Sequence, residues 1–248
     1  MSKEVLKADL HVHSRFSPDS LSWVWQIEKA RQERGLDWVA VTDHNAIAET
    51  ARDLREKSGA QLILGEEILT SEGREIIGLF LQEPIEQGLG IPETVIKIGN
   101  QGGIVVIPHP YEIWRHGAGE KVTREIVIGC KDFWVPVAIE VFNARARSSW
   151  FNHQAMALYH KLRKEGFPVL ATAGSDAHRI SEIGRGHVII PPFETKEELV
   201  EALRYARVCG EVNAFGTLYH RLLNRIELAL GCSFFDLKRG LVQDFSYR

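Results

Sequence analysis

The chain has 248 residues, of which 44% are hydrophobic and 25% are charged, and its formal net charge is −3. This composition is ordinary for a folded globular chain and excludes the disordered and fibrous classes. The length suits one or two domains, and the slightly acidic balance argues against a general electrostatic grip on nucleic acid.

The cysteines and the N-terminal residues bear on the cellular compartment. Cys130, Cys209 and Cys232 are odd in number, far apart in sequence and contain no CxxC pair, a pattern typical of reduced thiols. The first four residues lack the apolar stretch of a secretion signal, and no apolar run approaches the roughly 18 residues of a membrane span. We therefore expect a cytoplasmic protein that makes no membrane contact.

Strand-like and helix-like segments alternate along the chain. In chain order, strands are predicted at residues 6–12, 38–41, 61–64, 75–81, 104–107, 137–141, 168–173 and 186–190. Helices are predicted at residues 22–34, 46–57, 93–100, 148–165, from Thr195 to about Val208, and at 218–230. Residues 111–134 are less regular and predict a substrate loop or a short helix pair. The alternation favours a parallel sheet with helical crossovers, either open or closed into a barrel.

Imidazoles and carboxylates stand at the ends of six predicted strands. The motifs are Asp9-Leu10-His11-Val12-His13, Thr42-Asp43-His44, Gly65-Glu66-Glu67, Pro108-His109-Pro110, Glu140 followed by Asn143, and Gly174-Ser175-Asp176-Ala177-His178. Because the carboxyl ends of parallel strands lie on one side of a sheet or barrel, we expect these side chains to converge. Side chains alternate along a strand, so His11 and His13 are expected to point the same way. Histidine and carboxylate without thiolate suit Zn²⁺, Mn²⁺ or Fe²⁺.

Each motif taken alone also has an ordinary structural explanation. Asp43, for example, can cap the helix that follows it. Six such motifs at successive strand ends favour a metal site over these separate explanations. Structural roles are expected for the other five histidines, which fall mostly in helices or loops: His116, His153, His160, His187 and His220.

Together the motifs resemble those of the polymerase and histidinol phosphatase (PHP) superfamily. They occur in the family's order over roughly residues 8 to 190. The resemblance implies an α/β fold, a distorted (βα)7 TIM-like barrel in residues 1–210, with a short C-terminal helical extension in residues 211–248 packed on it. It also implies two or three divalent metal ions (Mn, Zn or Fe) and phosphoester hydrolysis.

The same resemblance implies how two of the ions would be held. The ligands of one ion would be four residues: His11, His13, Glu67 and Asp176. Glu67 would bridge to a second ion, which His109 would also hold.

A third position would be formed by Asp19, His44 and His178. Several relatives have histidine where Asp19 stands, and the exchange keeps a ligand while it changes the metal preferred. Glu140 is the nearest candidate to complete the second site. Asp9 and Asp43 are interpreted chiefly as groups that orient imidazoles, and direct ligation of a metal by Asp43 is left open.

The expected reaction is cleavage of a phosphoester bond in a small phosphorylated metabolite or nucleotide by a metal-bridging water. Arginines at the strand ends would complete the phosphate site, because a guanidinium binds phosphate through two hydrogen bonds. The expected catalytic arginines are Arg15, Arg145 and Arg179, with Arg185 as a further candidate. A surface or salt-bridge role is the ordinary alternative for each.

Two other functions stay open at this point. One is an amidohydrolase-like enzyme that cleaves C–N bonds, although the metal-bridging lysine of that class is not evident. The other is a non-catalytic metal-binding PHP module. The expected partner is a small phosphorylated substrate, with nucleic acid at most as a nucleotide or short oligonucleotide. The leucine face of the last predicted helix offers a surface for a possible homo-oligomer.

Overall fold

A computed structural model describes residues 4–47, 50, 61–212 and 222. Its nine strands are β1 (Leu6–Val12), β2 (Trp38–His44), β3 (Leu62–Leu69), β4 (Glu75–Leu79), β5 (Ile104–Ile107), β6 (Val137–Asn143), β7 (Leu170–Gly174), β8 (Gly186–Ile190) and β9 (Arg207–Gly210). Its α-helices are α1 (Val24–Glu33), α2 (Ile91–Asn100), α3 (Gly119–Asp132), α4 (Ser149–Lys164) and α5 (Lys196–Ala202).

The strands form one sheet in the order β7-β6-β5-β4-β3-β2-β1-β8-β9. Strands β1, β2 and β3 pair in parallel, as do β5, β6 and β7, whereas β4 is antiparallel to both of its neighbours. The sheet curls until the segment after β7 meets the end of β1, where Asp176 N–H donates to the His11 carbonyl at 2.8 Å. The first seven strands therefore make a nearly closed TIM-like barrel, and β8 and β9 extend it beyond β1.

Hydrophobic side chains pack against both faces of the sheet and stabilise the barrel. Helices α2, α3 and α4 bury residues such as Ile98, Ile126 and Leu158 against the outer face. A second cluster is made chiefly by strand residues, among them Leu10 and Ile104. At roughly 25 cal/mol per Å² of apolar area, burial on this scale is the main source of stability.

The strands are longer than predicted at the ends that carry the polar motifs. Strand β2 continues to His44 and β6 to Asn143, so these residues are held by sheet hydrogen bonds. The sheet register shifts between Asp9 and Val12 in β1 and between Glu140 and Phe142 in β6. Such irregularities re-aim side chains next to functional sites.

One predicted helix ends earlier than expected. It begins at Thr195 with a capping box, in which Thr195 Oγ1 accepts from the Glu198 N–H at 3.2 Å. The helix stops at Ala202, however, rather than near Val208. The following residues pair with the free edge of β8 as strand β9, which removes them from the helix.

Two predicted helices fall largely or wholly outside the described residues, namely 46–57 and 218–230. Most of the predicted C-terminal extension, residues 211–248, also lies outside the described residues, so this extension stays a prediction. Residues 111–134 prove to be a 3₁₀ turn at Ile113–Arg115 followed by α3. Within the described ranges, no helix has the length and hydropathy to cross a bilayer.

Candidate metal centre

The candidate site lies at the mouth of the barrel, at the carboxyl ends of the parallel strands. All eight predicted ligand residues gather there: His11, His13, Asp19, His44, Glu67, His109, Asp176 and His178. Six are buried, whereas the side chains of His44 and Asp19 are 22% and 51% exposed. The convergence predicted from the strand ends is therefore seen in the fold.

His11 and His13 form the centre of this group. Their Nε2 atoms are 3.1 Å apart, so both imidazoles point the same way, as the alternation of side chains predicts. Oε2 of Glu67 lies 3.4 Å from the first nitrogen and 3.3 Å from the second. Oδ1 of Asp176 lies 4.0 and 3.6 Å from the same two atoms. Four ligand atoms thus surround one small volume.

Glu67 connects this centre to a second set of groups. Its Oε1 lies 3.3 Å from Nε2 of His109, and its Oε2 lies 3.4 Å from Nδ1 of His44. Glu75 faces the same two imidazoles, with Oε2 at 3.6 Å from His109 and Oε1 at 4.0 Å from His44. The second set therefore contains a carboxylate that the motifs did not identify.

Glu75 lies outside the predicted motifs because it begins its strand, whereas the motifs follow the carboxyl ends of strands. Strand β4 is antiparallel, so its first residue lies at the mouth, and Glu75 pairs with Leu69 at the end of β3. Residues 70–74 are too few for a crossover to a parallel strand, which needs a dozen residues or more. That short connection was the signal that could have placed Glu75 at the site.

The third set is the most exposed. Nε2 of His178 lies 2.8 Å from Oδ2 of Asp19, and Nε2 of His44 lies 4.0 Å from Oδ1 of the same carboxylate. His13, His44 and His178 also present nitrogens close enough to share an ion. The grouping that the family resemblance implied is thus matched in space.

Two of the site residues have an uncommon backbone conformation. His109 has φ of 29° and Asp176 has φ of 53°, both in the left-handed region that non-glycine residues rarely adopt. Asp176 N–H is held by the His11 carbonyl at 2.8 Å, and His109 N–H by Oε2 of Glu140 at 2.8 Å. The surrounding structure therefore fixes a strained backbone at the places where the side chains turn into the mouth.

Glu140 orients groups instead of completing the second set. Its Oε1 lies 3.0 Å from Nδ1 of His11, and its Oε2 accepts from the His109 backbone and from the Asn143 amide at 2.9 Å. Both oxygens are thereby engaged. Glu75 occupies the position beside His109 for which Glu140 had been the candidate.

Asp43 supports His13 through a serine. Ser17 Oγ donates to Oδ1 of Asp43 at 2.8 Å and lies 3.1 Å from Nδ1 of His13. Asp43 also accepts from the backbone N–H and the hydroxyl of Ser14, each at 2.6 Å. This carboxylate therefore orients an imidazole indirectly, in agreement with the role expected for it.

Asp9 has a different role from the one expected. It accepts from Ser175 and Gly184, on the segment after β7, and from the backbone N–H of His11 at 3.4 Å. Burial raises its pKa to about 6, against the lowering effect of these hydrogen bonds. Asp9 thus positions Asp176 by holding the neighbouring backbone.

The arginines are distributed differently from the sequence prediction. Arg145 is buried, with Nη1 3.7 Å from Oδ1 of Asp176. Arg15 is exposed and stacks over the ring of Trp23 at 3.6 Å, and Arg179 lies half-buried at the start of a 3₁₀ turn. Arg115, which was not among the predicted catalytic residues, pairs directly with Asp176.

His13 and Glu67 have the protonation states that suit ligation, whereas His11 holds a proton. Burial and the nearby His178 and His44 hold the pKa of His13 well below its usual range, so its imidazole is neutral. Burial opposes protonation of His11, but the Glu67 carboxylate outweighs it and the pKa of His11 rises to about 10. Burial alone would raise the pKa of Glu67, yet His11 and His44 bring it well below its usual range. Neutral imidazole and ionised carboxylate are the forms that bind metals, so an ion bound by His11 would displace its proton.

One buried atom tests whether these residues fit an ion. Oδ1 of Asp176 is inaccessible to solvent and has no hydrogen-bond donor within residues 4–47, 50, 61–212 and 222. A buried carboxylate oxygen that accepts no hydrogen bond is costly, and a cation among the imidazole nitrogens would satisfy it. The donor set of nitrogen and oxygen is the one that Zn²⁺, Mn²⁺ or Fe²⁺ accepts.

The imidazoles of the remaining histidines that the structure describes are exposed or lie beside backbone carbonyls outside this cluster. His153 and His160 are exposed on α4, and Nδ1 of His116 lies 3.1 Å from the Gly73 carbonyl. Nδ1 of His187 lies 3.0 Å from the Gly184 carbonyl. His220 is outside the described residues.

The sequence of this chain is similar to a family model and to proteins of an archaeon. The family model described as PHP-associated matches residues 149–208. The uncharacterized protein MJ1587 of Methanocaldococcus jannaschii is 38% identical over 164 residues, which are 61% of this chain and 90% of that protein. The uncharacterized protein MJ0417 of the same organism is 33% identical over 184 residues, 74% of this chain and 70% of that protein.

A solved structure shares the fold. A two-domain protein of Bacteroides vulgatus, containing a predicted PHP-like metal-dependent phosphoesterase, superposes with a TM-score of 0.62 at 20% identity, covering 88% of this chain and 69% of that one. The barrel, the ordered motifs that converge at its mouth, and these relatives together establish that the chain belongs to the PHP superfamily.

Proposed function

We propose that this protein is a metal-dependent hydrolase that cleaves the phosphoester bond of a small phosphorylated metabolite or nucleotide. The observation that carries the proposal is the cluster of His11, His13, Glu67 and Asp176 around one buried volume. Bound divalent ions would supply a nucleophile from water at neutral pH and would neutralise charge on the phosphate. The donor groups would accept two or three ions of Mn, Zn or Fe.

Each set of side chains has a distinct place in this proposal. The central four residues would hold one ion, with Glu67 extending to a second beside His109 and Glu75. The third position would be Asp19, His44 and His178, which is the most open of the three and faces solvent.

Arginines of this chain would bind the phosphate oxygens. Arg115 and Arg145 both reach Asp176, which supports them as the groups that meet a phosphate at the cluster. Arg15, also proposed as catalytic, would have to leave the ring of Trp23 to meet a phosphate, and the role of Arg179 stays a prediction. A guanidinium that now pairs with a ligand carboxylate can exchange that partner for phosphate, since each anion presents two oxygens that accept its paired N–H groups.

The test begins with metal-stripped protein reloaded separately with Mn²⁺, Zn²⁺ or Fe²⁺. Phosphate release is measured from an aryl phosphate and from a panel of metabolite phosphates, and ammonia release from amide substrates. We expect phosphate release that depends on metal, and a fall of at least 100-fold in Asp176→Asn, since one ligand is lost while the left-handed backbone is tolerated.

Asp132→Asn, an exposed site at the end of α3, is the matched control. Ammonia release without phosphate release would replace the proposal by an amidohydrolase. Absence of metal in the purified protein together with failure to bind any of the three ions would support a non-catalytic module. Homo-oligomerisation and a cytoplasmic location stay predictions.

A further inference from the structure

Exposed aromatic rings stand beside the metal centre. Trp114 and Trp150 are 71% and 54% exposed, which is unusual for side chains of this size. Together with Tyr111 and Phe151 they form what we call the aromatic cluster. Ring centroids of Tyr111 and Trp150 are 6.4 Å apart, those of Trp150 and Phe151 5.1 Å, and those of Trp114 and Phe151 6.4 Å. All three contacts are edge-to-face, so none of these pairs is a parallel stack.

The aromatic cluster lies on the two segments, after β5 and after β6, whose arginines also reach a metal ligand. Trp114 belongs to the turn that follows His109 and immediately precedes Arg115, whose guanidinium pairs with Asp176. Trp150 lies in the first turn of α4, on the segment that also carries Arg145. The rings are therefore at the mouth of the barrel.

Glu112 fixes these two loops to each other. Its Oε2 accepts from Nη1 of Arg115 at 2.7 Å, and its Oε1 accepts from the Arg147 backbone N–H at 3.1 Å. Glu112 is buried, and burial would raise its pKa, but Arg115 lowers it below the usual value and keeps the carboxylate charged. Glu112 thereby fixes the positions of the aromatic rings and of the arginines relative to each other.

The charge next to the rings has the sign that a phosphorylated ligand requires. The guanidinium of Arg147 lies over the ring of Trp114, with Cζ 5.4 Å from the centroid. Arg115 and Arg145 add two cations on the metal side. The surface thus combines cations toward the metal centre with flat apolar rings open to solvent. A ligand with a phosphate at one end and a planar ring at the other complements both parts.

We propose that the aromatic cluster is a stacking subsite for the base of a nucleotide whose phosphate enters the metal centre. This inference rests on the proposed phosphoester hydrolase and names its substrate class. Stacking on aromatic side chains accepts every base, because each base has a π-face. The net charge of −3 favours a mononucleotide or the end of a short oligonucleotide over a long polynucleotide.

The experiment measures binding rather than turnover. Calorimetry on Mn²⁺-loaded protein compares two non-hydrolysable phosphonates, the analogue of adenosine 5′-phosphate and the analogue of ribose 5-phosphate. The variants are Trp114→Leu, Trp150→Leu, their double variant, and the conservative Trp114→Phe. Trp134→Leu is the matched control, because Trp134 is also exposed but precedes β6 at the opposite end of the barrel.

We expect the wild-type protein to bind the adenosine analogue about 10-fold more tightly (~1.4 kcal/mol) than the ribose analogue. The double leucine variant should lose this preference while its Kd for the ribose analogue is unchanged. Trp114→Phe should retain most of it, and Trp134→Leu all of it. Circular dichroism confirms that each variant is folded.

Equal affinity of the wild type for both analogues, or an undiminished preference in the double variant, would overturn the subsite. A preference for neither analogue in a protein that still hydrolyses phosphoesters would refute this inference alone. Failure of the metal-loaded protein to hydrolyse any phosphoester would instead refute the proposed function, whatever the rings bind. Binding of a protein partner at the cluster, unaffected by nucleotide, would also contradict the proposal.

Discussion

Oε2 of Glu75 lies 3.6 Å from Nε2 of His109, because their two neighbouring strands run in opposite directions. Glu75 begins β4 and His109 follows the end of β5. Antiparallel pairing brings the start of one strand to the end of the other. This relationship adds a carboxylate to a cluster otherwise built from the carboxyl ends of parallel strands.

Replacing Glu75 by glutamine should weaken metal binding without unfolding the protein. The amide keeps the size of the side chain but cannot ionise to a carboxylate that faces His44 and His109. Burial and the neighbouring Glu67 raise the pKa of Glu75 well above its usual range, so in the metal-free protein a neutral amide replaces a neutral carboxyl and the fold is kept. We expect the affinity for at least one ion to fall by about 10-fold or more.

The measurement is the metal-to-protein ratio after dialysis against a weak chelator. Glu83→Gln, at an exposed position beyond β4, is the control. An unchanged ratio and unchanged affinity in Glu75→Gln would show that this carboxylate lies near the metals without binding them.

Removing the Ser17 hydroxyl should affect metal affinity more than stability. Ser17 lies between Asp43 and the ring of His13, and its Oγ also accepts from the His44 N–H at 3.0 Å. Loss of a group that orients a metal-binding imidazole typically costs 10- to 100-fold in affinity. A fall in that range is expected for Ser17→Ala in competition with a chelator, while Ser71→Ala, an exposed serine, should bind like wild type.

Alanine at Gly174 should disrupt the barrel beside the site. A Cβ at this position would collide with Cβ of His11 and would lie 2.8 Å from Oε1 of Glu140. We expect a loss of about 2–3 kcal/mol in the free energy of unfolding, measured with urea, together with reduced metal content. Gly129 in α3 has open space around it, so Gly129→Ala should instead stabilise by about 0.5–1 kcal/mol. Equal stability of the two alanine variants would contradict the tight packing of Gly174 on His11.

The thiol of Cys130 should be protected from alkylation in the folded protein. Burial raises its pKa to about 12, so it stays protonated at pH 9, where an unfolded thiol is already largely ionised. Peptide mapping after iodoacetamide at pH 8.5 should find Cys130 unlabelled and the half-buried Cys209 labelled. Rapid native labelling of Cys130 would contradict its burial.

The raised pKa of Cys130 also makes the stability of the protein depend on pH in the alkaline range. Because the pKa of Cys130 is higher in the folded state than in the unfolded state, its contribution is fully present below about pH 9 and is lost as the pH rises toward 12. Cys130→Ala should therefore lose less stability than wild type between pH 8 and pH 10.5. Parallel losses in the two proteins would show that this thiol does not ionise on unfolding.

Much of the site was predictable because its ligands follow strands in short, local patterns. The strand at Leu6–Val12 and the alternation within it were enough to place His11 and His13 on one side. The rule that parallel strands end together then joined residues as distant as Glu67 and Asp176. Arg115 escaped prediction, because its contact with Asp176 depends on how an irregular loop folds back over the mouth.

The sequence by itself determined the family motifs, the order of most strands, and which imidazoles and carboxylates would meet. These depend on side-chain chemistry and on strand periodicity, both of which are local. Only the tertiary structure decided that Glu75 joins the cluster, that Glu140 orients His11, and that Arg115 reaches Asp176. Each of these depends on the direction of a strand or the path of a loop. Packing across the whole barrel selects that direction and that path, and the short connection before Glu75 is the one local pattern that indicates either of them.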